Sequence, residues 1–224
     1  MDHGWLKTWH SFSFASYFDK DKLNFGLLRV LNDDIVEAAE GFGSHPHDNM
    51  EIVTIPLEGE LEHKDSTGHV EVIRPNDVQI MSAGSGLYHS EYNHSDKNLV
   101  NLLQVWVFPK ERNIKPRYDQ ITLDPQDRKN KIHTFVSPVK GKEKLWINQD
   151  AYFSQCELDK SKKITYKIQK EGNGVYVFLI NGQIKIEDEV LSKRDAIGIW
   201  DTSDIEITAE EESRILFVDI PMAK

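Results

Sequence analysis

Apolar residues recur along this chain in short runs separated by glycine, proline, asparagine and aspartate. The clearest runs are rich in Val, Ile, Leu, Phe and Trp and cover residues 51–57, 70–73, 78–81, 99–108, 175–180, 184–186, 196–200, 205–208 and 214–220. Many short runs of this kind, bounded by turn-forming residues, are typical of the strands of a sandwich or barrel. Helical periodicity is weak, and residues 33–40 are the one candidate for a short helical turn. The sequence therefore predicts an all-β protein.

The order of features in the first half of the chain recurs in the second half. Each half has a strand, a glycine turn, a second strand and then an aspartate before another strand, with Gly59 and Asp77 in the first half and Gly182 and Asp195 in the second. The polar segment 110–131 shows no sustained period and is predicted to connect the halves. We therefore predict two tandem β-barrels, one over residues 1–125 and one over residues 126–224.

Composition narrows the classes of function. The chain of 224 residues is long enough for two such domains, and its formal net charge of −10 without a basic stripe argues against direct binding of nucleic acid. No apolar run approaches the roughly 18 residues of a membrane span, and no secretory signal is visible. The single cysteine, Cys156, excludes an internal disulfide framework, so a reducing cytoplasm is the expected compartment.

Four residues of metal-binding type stand in two pairs, His45 with His47 and His89 with Glu91, and each pair follows a glycine-containing turn. Side chains two residues apart on a strand point to the same face, with Cα atoms roughly 6.5–7 Å apart. If both pairs lie on neighbouring strands and face one interior, three imidazoles and one carboxylate meet. This donor set suits Fe, Cu, Ni, Co, Mn or Zn better than Mg or Ca. No histidine follows His133, so we expect the metal site in the first barrel.

Some alternatives remain open at this stage. A closed structural zinc site usually includes cysteine, and Cys156 is distant in sequence. Glu51 shares odd numbering with His45 and His47, so strand alternation alone does not decide between Glu51 and Glu91 as the carboxylate ligand. His63 and His69 flank a predicted hairpin turn over residues 64–68 and are both expected to be exposed to solvent.

Two motifs resemble the pair of motifs that define cupins, namely HxHxxxE beginning at His45 and GxxHxxxN beginning at Gly86. The sequence around these motifs is similar to that of the pirin family, most clearly in segments 10–15, 28–34, 41–47 and 80–86. The nearest members are bacterial pirins related to quercetin 2,3-dioxygenase. The resemblance covers almost the whole chain and is densest over residues 4–108.

This resemblance implies a bicupin, in which two stacked jelly-roll-like barrels carry one divalent transition metal in the first barrel, with iron as the expected ion. Its ligands, carried over position by position, would be His45, His47, His89 and Glu91. Glu51 and Asn93 are then candidates for orienting a ligand histidine through hydrogen bonds.

The resemblance also implies an activity. A quercetinase-type dioxygenase would cleave a flavonol such as quercetin with O₂ and release carbon monoxide, with Glu91 accepting the substrate's proton. The alternative is a non-catalytic metal-binding or redox-sensing regulator that acts through a protein partner. Neither function involves a membrane or direct contact with nucleic acid.

Overall fold

The computed structural model of the protein describes residues 1–141 and 143–222. Two compact units are present, the first made of Met1–Asn24 and Leu28–Leu123, and the second of Phe25–Leu27 and the chain from Asp124 onward. Within the described residues, regular structure consists of strands and one short 3₁₀ helix. None of the helical structure in these ranges is long and apolar enough to cross a membrane. The all-β prediction is confirmed.

The first unit is built from two antiparallel sheets. Its strands are β1 (Leu6–His10), β2 (Leu28–Val36), β3 (Gly41–His47), β4 (Glu51–Glu58), β5 (Leu61–Asp65), β6 (Val70–Ile73), β7 (Asp77–Ser82), β8 (Leu87–Asn93), β9 (Val100–Val107) and β10 (Arg117–Thr122). One sheet has six strands in the order β1-β2-β9-β4-β7-β10, and the other has four in the order β3-β8-β5-β6. This is the sandwich-like arrangement that the alternation of short apolar runs predicts.

The second unit repeats this plan. It begins with the 3₁₀ helix η1 (Pro125–Arg128) and continues with β11 (His133–Ser137), β12 (Leu145–Trp146), β13 (Tyr152–Leu158), β14 (Lys163–Lys167), β15 (Asn173–Asn181), β16 (Gln183–Ile186), β17 (Glu189–Ser192), β18 (Ala196–Ile199), β19 (Asp204–Ala209) and β20 (Ser213–Pro221). A six-stranded sheet in the order β12-β11-β13-β20-β15-β18 accompanies a four-stranded sheet in the order β14-β19-β16-β17.

One local prediction is wrong and another is incomplete. Residues 33–36 belong to β2 instead of a helical turn, because β2 is paired on both sides, with β1 and with β9, and its polar Asp33 and Asp34 are buried there. The segment 110–131 is also more than a connection, since it contains β10, which pairs with β7, and the 3₁₀ helix. In both places tertiary pairing overrides the local preference of polar residues.

The space between the two sheets of the first unit is layered. One apolar cluster contains Ile52, Met81, Ala83 and Leu87, and another contains Leu6, Val36, Leu61, Ile73, Val100 and Leu102. Between them along the strands lies a layer of buried polar side chains that includes Thr54, Gln79, Glu91 and Gln104. Burying polar groups costs free energy unless they are hydrogen-bonded, and Gln104 of this layer is bonded to both Thr54 and Glu91.

The second unit is filled differently. Its core consists of apolar residues from both sheets, among them Tyr166, Val177, Ile207 and Phe217. The ring of Tyr166 stacks on Phe217 with 4.6 Å between ring centroids. The only histidine of this unit is His133 at the start of β11. A single histidine cannot form an imidazole cluster, so the candidate metal chemistry lies in the first unit.

Candidate metal centre

The two histidine-containing pairs selected from the sequence lie on neighbouring strands. β3 and β8 are antiparallel neighbours, with His45 directly opposite His89 and His47 opposite Leu87. The pairing register shifts between Phe42 and His45, which indicates a bulge in β3 just before the first histidine. Bulges redirect side chains at functional sites, and here the bulge precedes the residue that faces His89.

Three imidazoles converge at this point. Ligand-type nitrogens of His45, His47 and His89, which we call the outer triad, lie within 4.8 Å of one another. The Nε2 atoms of His45 and His89 are 3.0 Å apart. Two nitrogens bound to one ion at about 2.1 Å and at a right angle would be about 3.0 Å apart. The spacing of this pair therefore fits joint coordination of one transition ion.

Hydrogen bonding also suits these rings to a metal. The carbonyl oxygen of Gly43 lies 2.7 Å from Nδ1 of His45, so Nδ1 carries the hydrogen and Nε2 keeps its lone pair. Nε2 of His47 is buried and has no hydrogen-bond partner among the described residues. A buried polar atom without a partner calls for an explanation, and a bound cation provides one. The side chains present thus fit a divalent metal.

Two of the imidazoles, His47 and His89, are held in the neutral form that binds metals. Burial, followed by the proximity of His45, lowers the pKa of His47 to about 4. The pKa of His89 falls to about 2, mainly through burial and then through the proximity of His45 and His47. His47 and His89 therefore offer lone pairs at neutral pH without first losing a proton.

Glu91 is more deeply buried than His45 and His47 of the outer triad. Its carboxylate belongs to a second group, with His63 and His89, whose ligand atoms also lie within 4.8 Å of one another. Gln104 Nε2 donates to Glu91 Oε2 at 2.8 Å, and Thr54 Oγ1 donates to Glu91 Oε1 at 3.4 Å. Burial, followed by the charge of Asp34, raises the pKa of Glu91 to about 7. His89 is the residue that both groups share.

The expectation that His63 is exposed is wrong, because His63 has no accessible surface. It lies on β5 opposite Glu91 of β8, with Leu61 and Asp65 on the same face. The turn begins only after Asp65, so His69, with a side chain 39% exposed, is the histidine that reaches solvent. Alternation of Leu61, His63 and Asp65 is the sequence signal that would have placed His63 in the interior.

Glu51 is not among the residues that the structure groups with the histidines. The Glu51 carboxylate accepts a hydrogen bond from Ser82 Oγ at 2.8 Å. Glu51 and Thr54 lie on opposite faces of β4, and Thr54 is the residue that contacts Glu91. Odd numbering misleads here because the chain turns between β3 and β4, where Asn49 adopts a positive φ of 46°. Strand parity does not carry across such a turn.

The Asn93 side chain forms hydrogen bonds with the surrounding backbone. Its Nδ2 donates to the carbonyl oxygens of Val36, Glu37 and Asn98 at 2.8–3.1 Å, and its Oδ1 accepts from the amide of Ser95. These bonds tie the end of β2 to the loop that follows β8. The side chain is thus committed to holding the strand ends together.

An aromatic wall adjoins the outer triad. The Trp106 ring meets His47 edge-to-face with 4.8 Å between centroids, and Phe14 meets Trp106 in the same manner at 5.2 Å. Sequence reasoning missed Trp106 together with Thr54 and Gln104. The last two interrupt apolar strands with a polar side chain, which is a signal that could have identified them.

Comparison with known families and proteins agrees with this architecture. The family model described as Pirin matches residues 1–107, and that of the quercetinase C-terminal cupin domain matches residues 134–220. A protein of Escherichia coli K12 named quercetin 2,3-dioxygenase is 40% identical over 220 residues, covering 98% of this chain and 94% of its own. A pirin-like protein of Caulobacter vibrioides is 37% identical over 219 residues, covering 97% of this chain and 94% of its own.

Solved structures show the same likeness. The structure of the bacterial pirin YhhW from Escherichia coli in complex with nickel(II) superposes with a TM-score of 0.93 at 38% identity, covering 99% of this chain and 94% of that one. The coconut allergen cocosin, at 10% identity and a TM-score of 0.65, covers 86% of this chain and 77% of its own and shares the fold alone.

Proposed function

The chain belongs to the pirin family, and on that premise we propose that it is a metal-dependent dioxygenase of the quercetinase type. The reaction opens the flavonol heterocycle with O₂, so that the flavonol and O₂ become a depside and carbon monoxide. The observation that carries the proposal is the convergence of the three imidazoles of the outer triad beside an aromatic wall. The name of the Escherichia coli relative supplies the substrate class.

His45, His47, His89 and Glu91 are the residues that would hold the ion. Iron is the expected ion, and copper, nickel, cobalt, manganese or zinc would fit the same nitrogen and oxygen donors. A bound divalent ion supplies Lewis acidity, which lowers the pKa of the substrate's 3-hydroxyl.

Glu91 is the residue for proton transfer in this proposal. A catalytic base works best when its pKa is near the working pH, and burial raises the pKa of Glu91 to about 7. The bonds from Gln104 and Thr54 fix the orientation of its carboxylate. Glu91 is thus able to take the hydroxyl proton of a bound flavonol and hold it away from water.

The aromatic wall would position the substrate. Flat aromatic ligands bind well against rings that offer an edge or a face, and Trp106 with Phe14 provides both beside His47. The apolar cluster that includes Ile52, Met81 and Leu87 lies against Trp106 and limits access of water.

The test is turnover of quercetin by protein loaded with one ion at a time. O₂ uptake, carbon monoxide release and loss of the flavonol absorbance should occur in equal amounts. His47→Gln should lose the activity, whereas His94→Gln should keep it, because the His94 side chain is 41% exposed and is paired with Glu62. Absence of turnover with all six ions would reject the dioxygenase and favour a metal-dependent regulator.

A further inference from the structure

His63 has the features of a metal ligand, although no motif selected it. It is completely buried, and a ring nitrogen of His63 lies within 4.8 Å of ligand atoms of both His89 and Glu91. Its ring centroid is 5.3 Å from that of His89. We call His63, His89 and Glu91 the inner triad; unlike the outer triad, all its members are buried.

Asp65 determines which nitrogen of His63 is available. Oδ2 of Asp65 lies 3.1 Å from Nε2 of His63. The amide and hydroxyl of Thr67 and the amide of His69 donate to Oδ1 of Asp65, so the carboxylate is fixed in place. With the hydrogen on Nε2, Nδ1 of His63 keeps a lone pair. That atom is buried and has no hydrogen-bond partner within the described ranges.

A histidine whose one nitrogen donates to a carboxylate while the other stays free is the usual arrangement around a protein-bound metal. The ring of Tyr118 restrains His63 further, with 4.8 Å between centroids, and the Tyr118 hydroxyl is itself held by Gln120 at 2.7 Å. An ordinary core histidine would satisfy both nitrogens, and His63 satisfies one.

We propose that the inner triad is a second position for the metal ion, in which His63, His89 and Glu91 bind a divalent transition ion. His89 is common to both triads, so one ion occupies either the outer or the inner position. In the inner position the ion is enclosed by buried groups, away from the half-exposed rings of His45 and His47. This inference rests on the metal site of the proposed function but does not depend on the reaction.

The experiment isolates the inner triad by removing the outer one. Full-length His45→Gln/His47→Gln protein is titrated with Ni²⁺ in competition with a chelating dye, and X-ray absorption of the bound nickel counts its imidazole ligands. We expect one equivalent of nickel, bound at least tenfold more weakly than by the unaltered protein, with two imidazoles. Failure of the folded double variant to bind nickel, or a count of one imidazole, would overturn the proposal.

Further substitutions in this background test His63 directly. His63→Gln should weaken nickel binding by at least 100-fold. Asp65→Asn should weaken it by 10–100-fold, because an amide that donates to Nε2 places the ring hydrogen on Nδ1. His94→Gln removes an exposed histidine and should leave the affinity unchanged. Equal affinities for the His63→Gln and His94→Gln proteins would reject the inner site.

Folding of each variant is checked by circular dichroism. If the double variant does not fold, the His45→Gln protein is compared with the His45→Gln/His63→Gln protein, where weaker nickel binding by the second is expected and equal binding would overturn the proposal. Nickel binding is read without substrate. A protein that fails to turn over quercetin but shows the inner site would reject the reaction alone, and the converse result would reject the inner site alone.

Discussion

At the scale of single residues, hydrogen bonds determine which atoms of each side chain remain free to bind a metal. Gly43 occupies one nitrogen of His45 and Asp65 one nitrogen of His63, so each ring directs its remaining lone pair inward. Gln104 and Thr54 orient the Glu91 carboxylate by donating hydrogen bonds to its two oxygens. Because buried polar atoms must find partners, the pattern of satisfied and unsatisfied atoms outlines where a cation belongs.

Gln104 is a test of this hydrogen-bond network. It donates to Glu91 at 2.8 Å and accepts from Thr54 at 2.8 Å, so Gln104→Met removes both bonds while keeping the volume. We expect a loss of about 1–3 kcal/mol in the free energy of unfolding by urea, and at least a tenfold fall in kcat/KM for quercetin. Gln126→Met, at an exposed position, should change stability by less than about 0.5 kcal/mol. Equal behaviour of the two variants would contradict the assigned role.

Asn93→Ala separates support of the backbone from support of the metal. Loss of its side chain leaves carbonyl oxygens of Val36, Glu37 and Asn98 without this donor, so stability should fall by about 3 kcal/mol. Nickel stoichiometry in the folded protein should stay at that of the unaltered chain. Asn98→Ala, in the same loop but exposed, is the control. Loss of nickel from folded Asn93→Ala protein would restore the predicted role in orienting a ligand histidine.

The convergence of His45, His47 and His89 could be predicted from the sequence. Alternation places residues two apart on the same face of a strand, and only one pairing, of β3 with β8, is needed to bring the three rings together. His63 was missed although it alternates with Leu61 and Asp65, because the pairing of β5 with β8 decides that the turn begins only after Asp65. Glu51 shows the same limit, because one positive φ at Asn49 cancels the parity between β3 and β4. Strand alternation therefore identifies candidate ligands that share a strand, whereas tertiary pairing determines which residues of other strands join them.

At the level of elements, the site depends on how closely β3 approaches β8. A Cβ atom on Gly41 would lie 2.4 Å from the Glu91 carbonyl oxygen and 2.5 Å from Cα of Tyr92, whereas one on Gly43 would meet only the Tyr92 hydroxyl at 3.8 Å. Backbone atoms cannot move aside as a flexible side chain can. Gly41 thus permits the strand contact that sets His45 opposite His89.

This pair of glycines gives a matched experiment. Gly41→Ala should destabilise the protein by about 1–3 kcal/mol, as overpacking does, and should weaken nickel binding because β3 is displaced. Gly43→Ala should leave both unfolding and nickel affinity close to those of the unaltered protein. Urea denaturation and dye competition measure the two effects. Equal stability of the two variants would show that β3 tolerates the displacement.

At the scale of the whole molecule, two units of one plan differ in the polar groups that they bury. Both contain buried polar side chains, such as Asp219 in the second unit, but only in the first does a polar layer with Glu91, Thr54, Gln79 and Gln104 lie beside a cluster of histidines within the described residues. Repetition of the fold was visible in the sequence, and the absence of histidine after His133 indicated which unit carries the chemistry. The depth of the polar layer was not visible, since it arises from residues that lie far apart in the chain.

This difference between the units predicts where a metal stabilises the chain. A ligand that binds only the folded state, at a concentration about 100 times its Kd, adds about 2.7 kcal/mol to the free energy of unfolding. Amide exchange through any local unfolding that releases the ligand should then slow by roughly 100-fold. Amide hydrogen exchange with and without Ni²⁺ should therefore slow most in β3 and β8, whose pairing brings the histidines together. Strands β16 and β17 of the second unit contribute no histidine and should exchange at the same rate in both samples. A chelator should reverse the effect, and equal slowing in β16 and β17 would show that the ion stabilises both units together.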